Sequence, residues 1–479
     1  MVIITDKEAF LLIKNFEEFV RGLDEGLKPS LSFDLIKREL IVAERTAYLY
    51  FIDGFIKDEV FEKIVEFLFK QTPQTLAGIT DMNQFSKDKM PYVEIDYTYN
   101  LETAKTSVLS GPAVLVIDGI AGALIIDTRT YPVRSIEEPQ QDKALRGARD
   151  GFVETIIFNT AMIRRRIRTE NLRMEHYQIG NRSKVDVAIG YIEGLADEKQ
   201  LNALRKRLKA IKINGISMTQ QVFCETLIPS AFINPFPKVK FTERPDFASA
   251  CILDGKIVLI MDNSPAVMIL PNTFADFFRD VDDYYFMPIV GTYTRIIRIL
   301  VALLTLLAGP LYLLVNMNPQ YLPDFFKFIL PDKMGSIPLF YQLLLLEFIV
   351  DGLQLASLNT PDSLSNSLGI IGGLLLSEFA ITAGWFIPEA ILFIAFVTIA
   401  SFSQPSFEMG YAMKFERIAL LVAVHLFGLW GFIITLVAIT ISLICMNTIT
   451  GHNYLYPLFP FNFKHFIKLF IRPGIGKNH

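Results

Sequence analysis

The chain has 479 residues, of which 51% are hydrophobic and 20% charged, with a formal net charge of −4 and a mean hydropathy of +0.36. It is too apolar for an ordinary soluble protein and too charged for one confined to a bilayer, so a mixed architecture is expected. Three widely spaced cysteines, Cys224, Cys251 and Cys445, form no CxxC pair; they exclude a disulfide framework or zinc site and read as small buried residues of a reducing compartment.

The first stretch, MVIITDKEAFLLIKNFEEF, is acidic and amphipathic, without a basic n-region or cleavage site. No signal peptide is expected, and the first ~285 residues read as a cytoplasmic region. Residues 1–35 are taken as a helical segment, followed by a first α/β subdomain at 36–142 and a second at 184–284.

The two subdomains are copies of each other. VLSGPAVLVIDGIAGALIID from Val108 aligns without gaps on ILDGKIVLIMDNSPAVMILP from Ile252, placing Gly111 on Gly255 and Asp118 on Asp262. Each reads as a β-hairpin, an aliphatic run entering a loop that opens on Asp and leaving as a second apolar strand. Upstream, YFIDG ending at Gly54 matches GYIEG ending at Gly194, placing Ile52, Asp53 and Gly54 on Ile192, Glu193 and Gly194. A helix follows in both copies, with Val60, Ile64, Phe67 and Leu68 in one and Leu201, Leu204, Leu208 and Ile211 in the other at helical spacing. Each copy is therefore expected to run strand, helix, hairpin. The recurring acids Asp53, Glu193, Asp118 and Asp262 are read as turn chemistry rather than ligands. No Gly-rich loop with a following Lys and Ser/Thr, no HExxH and no nucleophile elbow is present, which excludes the motif-bearing hydrolases, kinases and oxidoreductases; Gly474 to Lys477 lacks the strand and helix of a phosphate loop. No cofactor or metal is expected.

Between the copies, at 143–183, a connecting basic amphipathic helix is expected, with Phe152, Ile156, Ile163 and Ile167 as its apolar stripe. Its end carries Arg164, Arg165, Arg166, Arg168 and Arg173. These residues suit solvated charge at a helix C-terminus, contact with anionic lipid, or pairing with a neighbouring subunit. The acidic flanks and the lack of interleaved aromatics argue against nucleic acid.

A helical membrane domain is expected at 285–450, ahead of a basic tail at 451–479. Candidate spans are Ile296–Val315, Ile337–Leu358, Leu364–Ile387, Glu389–Phe402 and Ile418–Met446. Basic residues at both ends of this region place both on the cytoplasmic side, which needs an even number of crossings. One segment is then re-entrant or interfacial, either Ile337–Leu358 or the short Glu389–Phe402. Within Ile337–Leu358, Glu347, Asp351 and Gln354 stand at i, i+4 and i+7, one face of a helix. Such residues in a bilayer face a bundle interior or a water path, or else the segment lies at the interface with its acids in headgroup water. Ser365, Gly369, Gly373 and Ser377 at spacings of four form a seam for close helix packing. Glu378 beside it is either a satisfied interhelical hydrogen bond or part of an ion path, and His425 reads as a packed polar residue.

Long motifs carry a family resemblance: LRGARDGFVETIIFNTAMIRRRIR (Leu145 to Arg168), DTRTYPVRSIEEP (Asp127 to Pro139), NPFP (Asn234 to Pro237), TERPD (Thr242 to Asp246) and PSFEMG (Pro405 to Gly410). With the acidic Glu347/Asp351 helix beside them, the chain resembles the GerA family of spore-germination membrane proteins over nearly its whole length. The resemblance implies a cytoplasmic two-part α/β region followed by an α-helical transmembrane domain, in the inner membrane of a spore-forming bacterium. It also implies a ring-shaped homo-oligomer, a pentamer, that releases monovalent cations, together with membrane lipid, a small membrane partner and germinant receptors as partners. A channel subunit that amplifies germination is the first expectation. A germinant receptor subunit and a non-conducting scaffold are the alternatives, and an enzyme is not expected.

Overall fold

The computed structural model describes residues 16–129, 147–211, 220–227, 234–280, 282–331, 335–358, 373, 379–448 and 453–471. The chain divides into two compact units, Met1–Pro229 with Val239–Pro271, and Ser230–Lys238 with Asn272–His479.

The N-terminal unit holds two five-stranded antiparallel sheets. The first is built from β1 (Leu35–Val42), β2 (Arg45–Ile52), β3 (Ile95–Thr98), β4 (Ala113–Ile117) and β5 (Ala123–Ile126), in the order β1-β2-β4-β5-β3. Its helices are α1 (Phe16–Leu27), α2 (Asp58–Phe69), α3 (Met82–Asp88) and α4 (Leu101–Ser110). After α5 (Ile156–Arg166), the second sheet uses β6 (Leu172–Ile179), β7 (Val185–Ile192), β8 (Lys240–Thr242), β9 (Ile257–Met261) and β10 (Val267–Leu270), in the order β6-β7-β9-β10-β8. With it come α6 (Glu198–Ala210), α7 (Gln220–Leu227) and α8 (Pro245–Leu253).

The order is the same in both copies, and so is the register. Ala47 faces Ile117 in the first sheet and Val187 faces Met261 in the second; Ala113 faces Ile126 and Ile257 faces Leu270. The duplication seen in the sequence is thus a duplication of structure, since a one-residue slip would have turned each strand's side chains to the opposite face. Gly111 and Gly255, matched in the alignment, both take left-handed backbone (φ 113° and 85°) where α4 and α8 end, a conformation in which a Cβ is strained.

Both faces of the first sheet are covered. Leu49, Ala113, Leu115 and Ile117 join Ile64, Leu68 and Phe85 on one side; Tyr50, Ile52, Val114 and Val116 join Phe19, Leu23 and Val108 on the other. The alternation follows from the two-residue period of a strand, and double burial explains why β4 and β9 read as unbroken aliphatic runs.

Each copy holds more than strand, helix and hairpin. A long first strand, a short edge strand and a helix before the hairpin are added, and all three are weak in sequence because they mix exposed and buried positions. The connecting helix is also shorter than expected. It covers Ile156–Arg166 only, and Leu172 already begins β6. The apolar stripe Phe152, Ile156, Ile163 and Ile167 is nonetheless fully buried.

The second unit is helical: α9 (Pro288–Met317), α10 (Leu339–Leu358), α11 (Pro388–Phe402), α12 (Phe407–Cys445) and α13 (Phe463–Phe470). Among the described residues, three helices, Pro288–Met317, Leu339–Ser357 and Phe407–Cys445, are long and apolar enough to cross a membrane. At 15 residues, α11 reaches only ~22 Å, short of a ~30 Å hydrocarbon core. Most of the expected span Leu364–Ile387 lies outside the described residues, as do Ser365, Gly369, Ser377 and Glu378; Gly373 is described and is exposed.

The last expected span, 418–446, is the later part of α12, and α12 is broken at Gly428, whose φ of 58° and ψ of −135° are not helical. Met409, Ala412 and Met413 from one leg and Ile439, Leu443 and Met446 from the other fall in one apolar cluster with Ala302 and Leu306. A straight helix would hold Met409 and Leu443 ~50 Å apart, so their membership of one cluster means that the chain folds back at Gly428. Close to this reversal, a Cβ on Gly431 would lie 2.0 Å from the Ala423 carbonyl oxygen, so glycine lets the legs approach. The NPFP motif belongs to this unit: Asn234 Nδ2 donates to Ser442 Oγ (3.1 Å), and the Pro237 carbonyl accepts from the Tyr454 hydroxyl (2.6 Å).

Candidate functional site

Three helices of the second unit meet around a group of four charges. On α10, Glu347, Asp351 and Gln354 follow one another along one face, as their spacing requires. Facing them on the first leg of α12 are Lys414 and Arg417, three residues apart and so also on one face. Arg417 Nε donates to Glu347 Oε1 (2.6 Å) and Nη2 to Oε2 (2.9 Å), a two-bond fork. The remaining Arg417 nitrogen, Nη1, donates to the Thr305 carbonyl of α9 at 2.9 Å. Lys414 Nζ donates to Asp351 Oδ1 and to the Glu347 carbonyl (3.3 Å), and lies 3.4 Å from Glu347 Oε2.

Burial divides the group. Glu347 is 2% exposed and Arg417 3%, whereas the Asp351 side chain keeps 29% of its surface and Lys414 14%. Gln354, one turn on, is half-buried. Two acids and two bases sum to zero charge, which is how an apolar helical unit holds four ionised side chains, since an isolated buried ion costs several kcal/mol. Glu347 is therefore wholly engaged within its own chain, and the accessible polar edge of the face consists of Asp351 and Gln354.

Sequence spacing alone does not single out Lys414 and Arg417, because a last span beginning at Ile418 leaves both as flanking charges. Their spacing of three, opposite a segment with acids four apart, was the available signal. Gln342 ties the same helix to α11, its Oε1 accepting from the Ile387 backbone (2.8 Å). His425 stacks on Phe340 with ring centroids 4.0 Å apart. At the start of α9, the fully buried Asp283 accepts from Arg295 Nε and Arg298 Nη1, both at 3.2 Å, so these flanking arginines are held within the unit.

In the N-terminal unit the arginines of the connecting helix separate. Arg164, 1% exposed, is a correction to the expected contact surface: its Nε and Nη2 donate to the two carboxylate oxygens of the buried Asp34 at 2.6 and 3.0 Å. It is a strut between the chain entering β1 and α5. Arg166 forks onto Asp150 (2.6 and 2.7 Å), while Arg165 is half-buried and Arg168 exposed. Of the four, Arg168 is the exposed one, its Nε donating to the Arg165 carbonyl (3.2 Å).

The recurring acids also differ from one another. Asp53 Oδ1 accepts from the Gly54 N–H (3.0 Å), as turn chemistry requires. Asp262 instead accepts from the Ile156 N–H (3.0 Å) at the start of α5. Glu193 pairs with Lys28 and Arg173, whose hydrogen bonds hold its carboxyl below the usual range. The motifs quoted above hold structure as well: Arg244 of TERPD forks onto Asp246 (2.7 and 3.1 Å), and Ser406 of PSFEMG caps α12 by accepting from the Met409 N–H (3.3 Å). Of the cysteines, Cys224 and Cys251 are buried as expected and Cys445 is exposed.

An α/β unit of two duplicated sheets joined in sequence to a helical unit with a neutralised charge cluster defines a membrane protein of mixed architecture. Residues 23–479 match the model of the Bacillus/Clostridium GerA spore germination protein family, and the chain belongs to that family. It is similar to Stage V sporulation protein AF of Bacillus subtilis (strain 168), 34% identical over 96% of this chain and 92% of that one. It is also similar to Spore germination protein A1 of the same organism, 28% identical over 94% and 93% of the two chains. Among solved structures it matches the N-terminal domain of the A subunit of the Bacillus megaterium spore germinant receptor GerK3. That match is 27% identical, with a TM-score of 0.43, over 55% of this chain and 97% of that one.

Proposed function

We propose that the chain is a subunit of an oligomeric membrane channel that releases monovalent cations and amplifies the germination signal in the inner membrane of a bacterial spore, with its N-terminal unit on the cytoplasmic, core side. The observation that carries this reading is the face of α10: Asp351, though bonded to Lys414, keeps 29% of its side-chain surface and Gln354 is half-buried, while Glu347 is spent on Arg417. Repeated around a closed ring of identical copies, such a face supplies a ring of acids, and rings of carboxylates attract and concentrate cations. Five copies, a small membrane partner and germinant receptors as neighbours are proposed from the family resemblance. Glu378, beside the small-residue seam of Ser365, Gly369, Gly373 and Ser377, is proposed as a further acid of the path. The chemistry needs no cofactor, and the chain is not an enzyme in this reading.

The test is reconstitution of the purified chain in liposomes with a K⁺ flux readout, with and without candidate germinants. Flux without ligand supports the amplifier, and Asp351→Asn should lower it most at low salt, where a ring's field is least screened. Flux only with ligand supports the second reading, a germinant receptor subunit, which the similarity to Spore germination protein A1 favours. An intact oligomer without flux under any condition refutes both and leaves the scaffold.

A further inference from the structure

The helix α13 has no place in the charge cluster or in the proposed path. Its sequence, FKHFIKLF, sorts cleanly by the 100° turn of a helix. Phe463, Phe466, Ile467 and Phe470 share one face, Leu469 stands at its edge, and the remaining positions of the sequence are Lys464, His465 and Lys468. The apolar face is ordered as an aromatic strip, with Phe461 5.6 Å from Phe466 and Phe466 5.2 Å from Phe470. It is partly open: Phe463 is 66% and Ile467 36% exposed while Phe466 and Phe470 are half-buried, and the flanking Phe459, Phe461 and Ile471 are each at least half exposed. From Gly451 to His479 the sequence holds Lys464, Lys468, Arg472 and Lys477 and no acid.

The stretch before α13 is fixed. Tyr454 is fully buried; its carbonyl accepts from the Phe274 N–H (2.8 Å) and its hydroxyl donates to Pro237 O (2.6 Å). Burial pushes its hydroxyl pKa well up, with the charge of Asp276 adding to the effect, so it remains a donor. This anchor holds the chain ahead of α13 against Phe274 and Pro237, and α13 touches α9. An eight-residue helix reaches only ~12 Å and cannot span a bilayer.

We propose that α13 is an in-plane anchor whose aromatic face enters the acyl boundary and whose lysines meet an anionic phospholipid surface. Three features select lipid as the occupant. The helix touches α9, which is apolar enough to cross a membrane, its polar positions in sequence are two lysines and a histidine with no acid, and such segregation is that of helices lying in the interface. The proposal does not depend on conduction.

The test uses the full chain in lipid nanodiscs of phosphatidylcholine with or without phosphatidylglycerol, in a Cys445→Ser background, with a bimane label at Ile467→Cys or at Lys468→Cys. With phosphatidylglycerol present, the label at 467 should be quenched by acyl-brominated lipid at least about twofold more than the label at 468, and be shielded from aqueous iodide. The same label should become open to iodide in discs of phosphatidylcholine alone, or on Lys464→Glu with Lys468→Glu in either lipid. Should the reversed variant fail to incorporate, the comparison of lipids with the parental chain decides by itself. Equal iodide access at 467 and 468 in both lipids overturns the proposal, as does equal quenching in both lipids. Protection of 467 from iodide and from brominated lipid alike also overturns it, and assigns the face to a second copy or another protein.

Discussion

Replacing Glu347 with glutamine removes one negative charge from a pair that is almost entirely shielded from solvent. Arg417 would keep its bond to the Thr305 carbonyl (2.9 Å), but its Nε and Nη2 would face one neutral oxygen and one amide NH₂ where two anionic oxygens now stand at 2.6 and 2.9 Å. Breaking a buried pair by removing one partner costs ~3–5 kcal/mol. The retained amide oxygen places Glu347→Gln at about 3 kcal/mol, roughly two decades in the folded-to-unfolded ratio. Replacing both partners by apolar residues, Glu347→Leu with Arg417→Met, should recover most of this, leaving a coupling of at least ~2 kcal/mol in a double-mutant cycle. The assay is equilibrium unfolding in mixed micelles, with oligomer size and K⁺ flux measured on the same preparation; assembly should be lost before conduction. A Glu347→Gln protein that unfolds with the parent and assembles normally would refute the structural role. Lower flux in that intact oligomer, steeper at low salt, would then return Glu347 to the ion path.

Other outcomes follow from the same geometry. A fragment ending at Pro271 should be folded and monodisperse by size-exclusion chromatography, whereas one ending at Tyr285 should self-associate, because it carries Phe277 and Phe278 of the helical unit without Ala302 and Tyr454, which share their apolar cluster. In the first fragment, Asp34→Asn leaves the buried Arg164 without its charge partner and should lower urea stability by ~3 kcal/mol. Gly428→Ala forces a Cβ into a backbone conformation reserved for glycine, at ~1–3 kcal/mol or more, and should reduce the yield of intact protein in detergent extracts. Burial alone would raise the Glu175 carboxyl, but hydrogen bonds from Arg205, Tyr191 and Tyr177 outweigh it and hold the carboxyl below its ordinary 4.5. A depressed folded value stabilises above the unfolded pKa and the gain is lost as pH falls through the folded one. Urea stability of the N-terminal fragment should thus drop below about pH 4.5, and Glu175→Gln should flatten that drop.

The local patterns settled a great deal on their own. Hydrophobic periods of two and of 3.6 residues are imposed by single strands and helices, so the two hairpins, α2, α6 and the apolar helices could be placed from spacing alone. Matching Gly111 to Gly255 and Asp118 to Asp262 was enough to carry the register of one sheet over to the other. What spacing could not supply was any partner far along the chain. Glu347 and Arg417 are 70 residues apart and Asp34 and Arg164 are 130 apart, and a side chain's own segment says nothing about the charge that packing brings to it. The same holds for the fold-back at Gly428, where an unbroken apolar run is equally consistent with one long helix or two short ones. The difference lies in a single backbone conformation and in one apolar cluster that gathers residues of both legs with Ala302 and Leu306. Local sequence set which residues share a face, and tertiary packing decided whether that face meets water, lipid or an opposite charge, because burial and Coulomb energy are properties of the assembled neighbours.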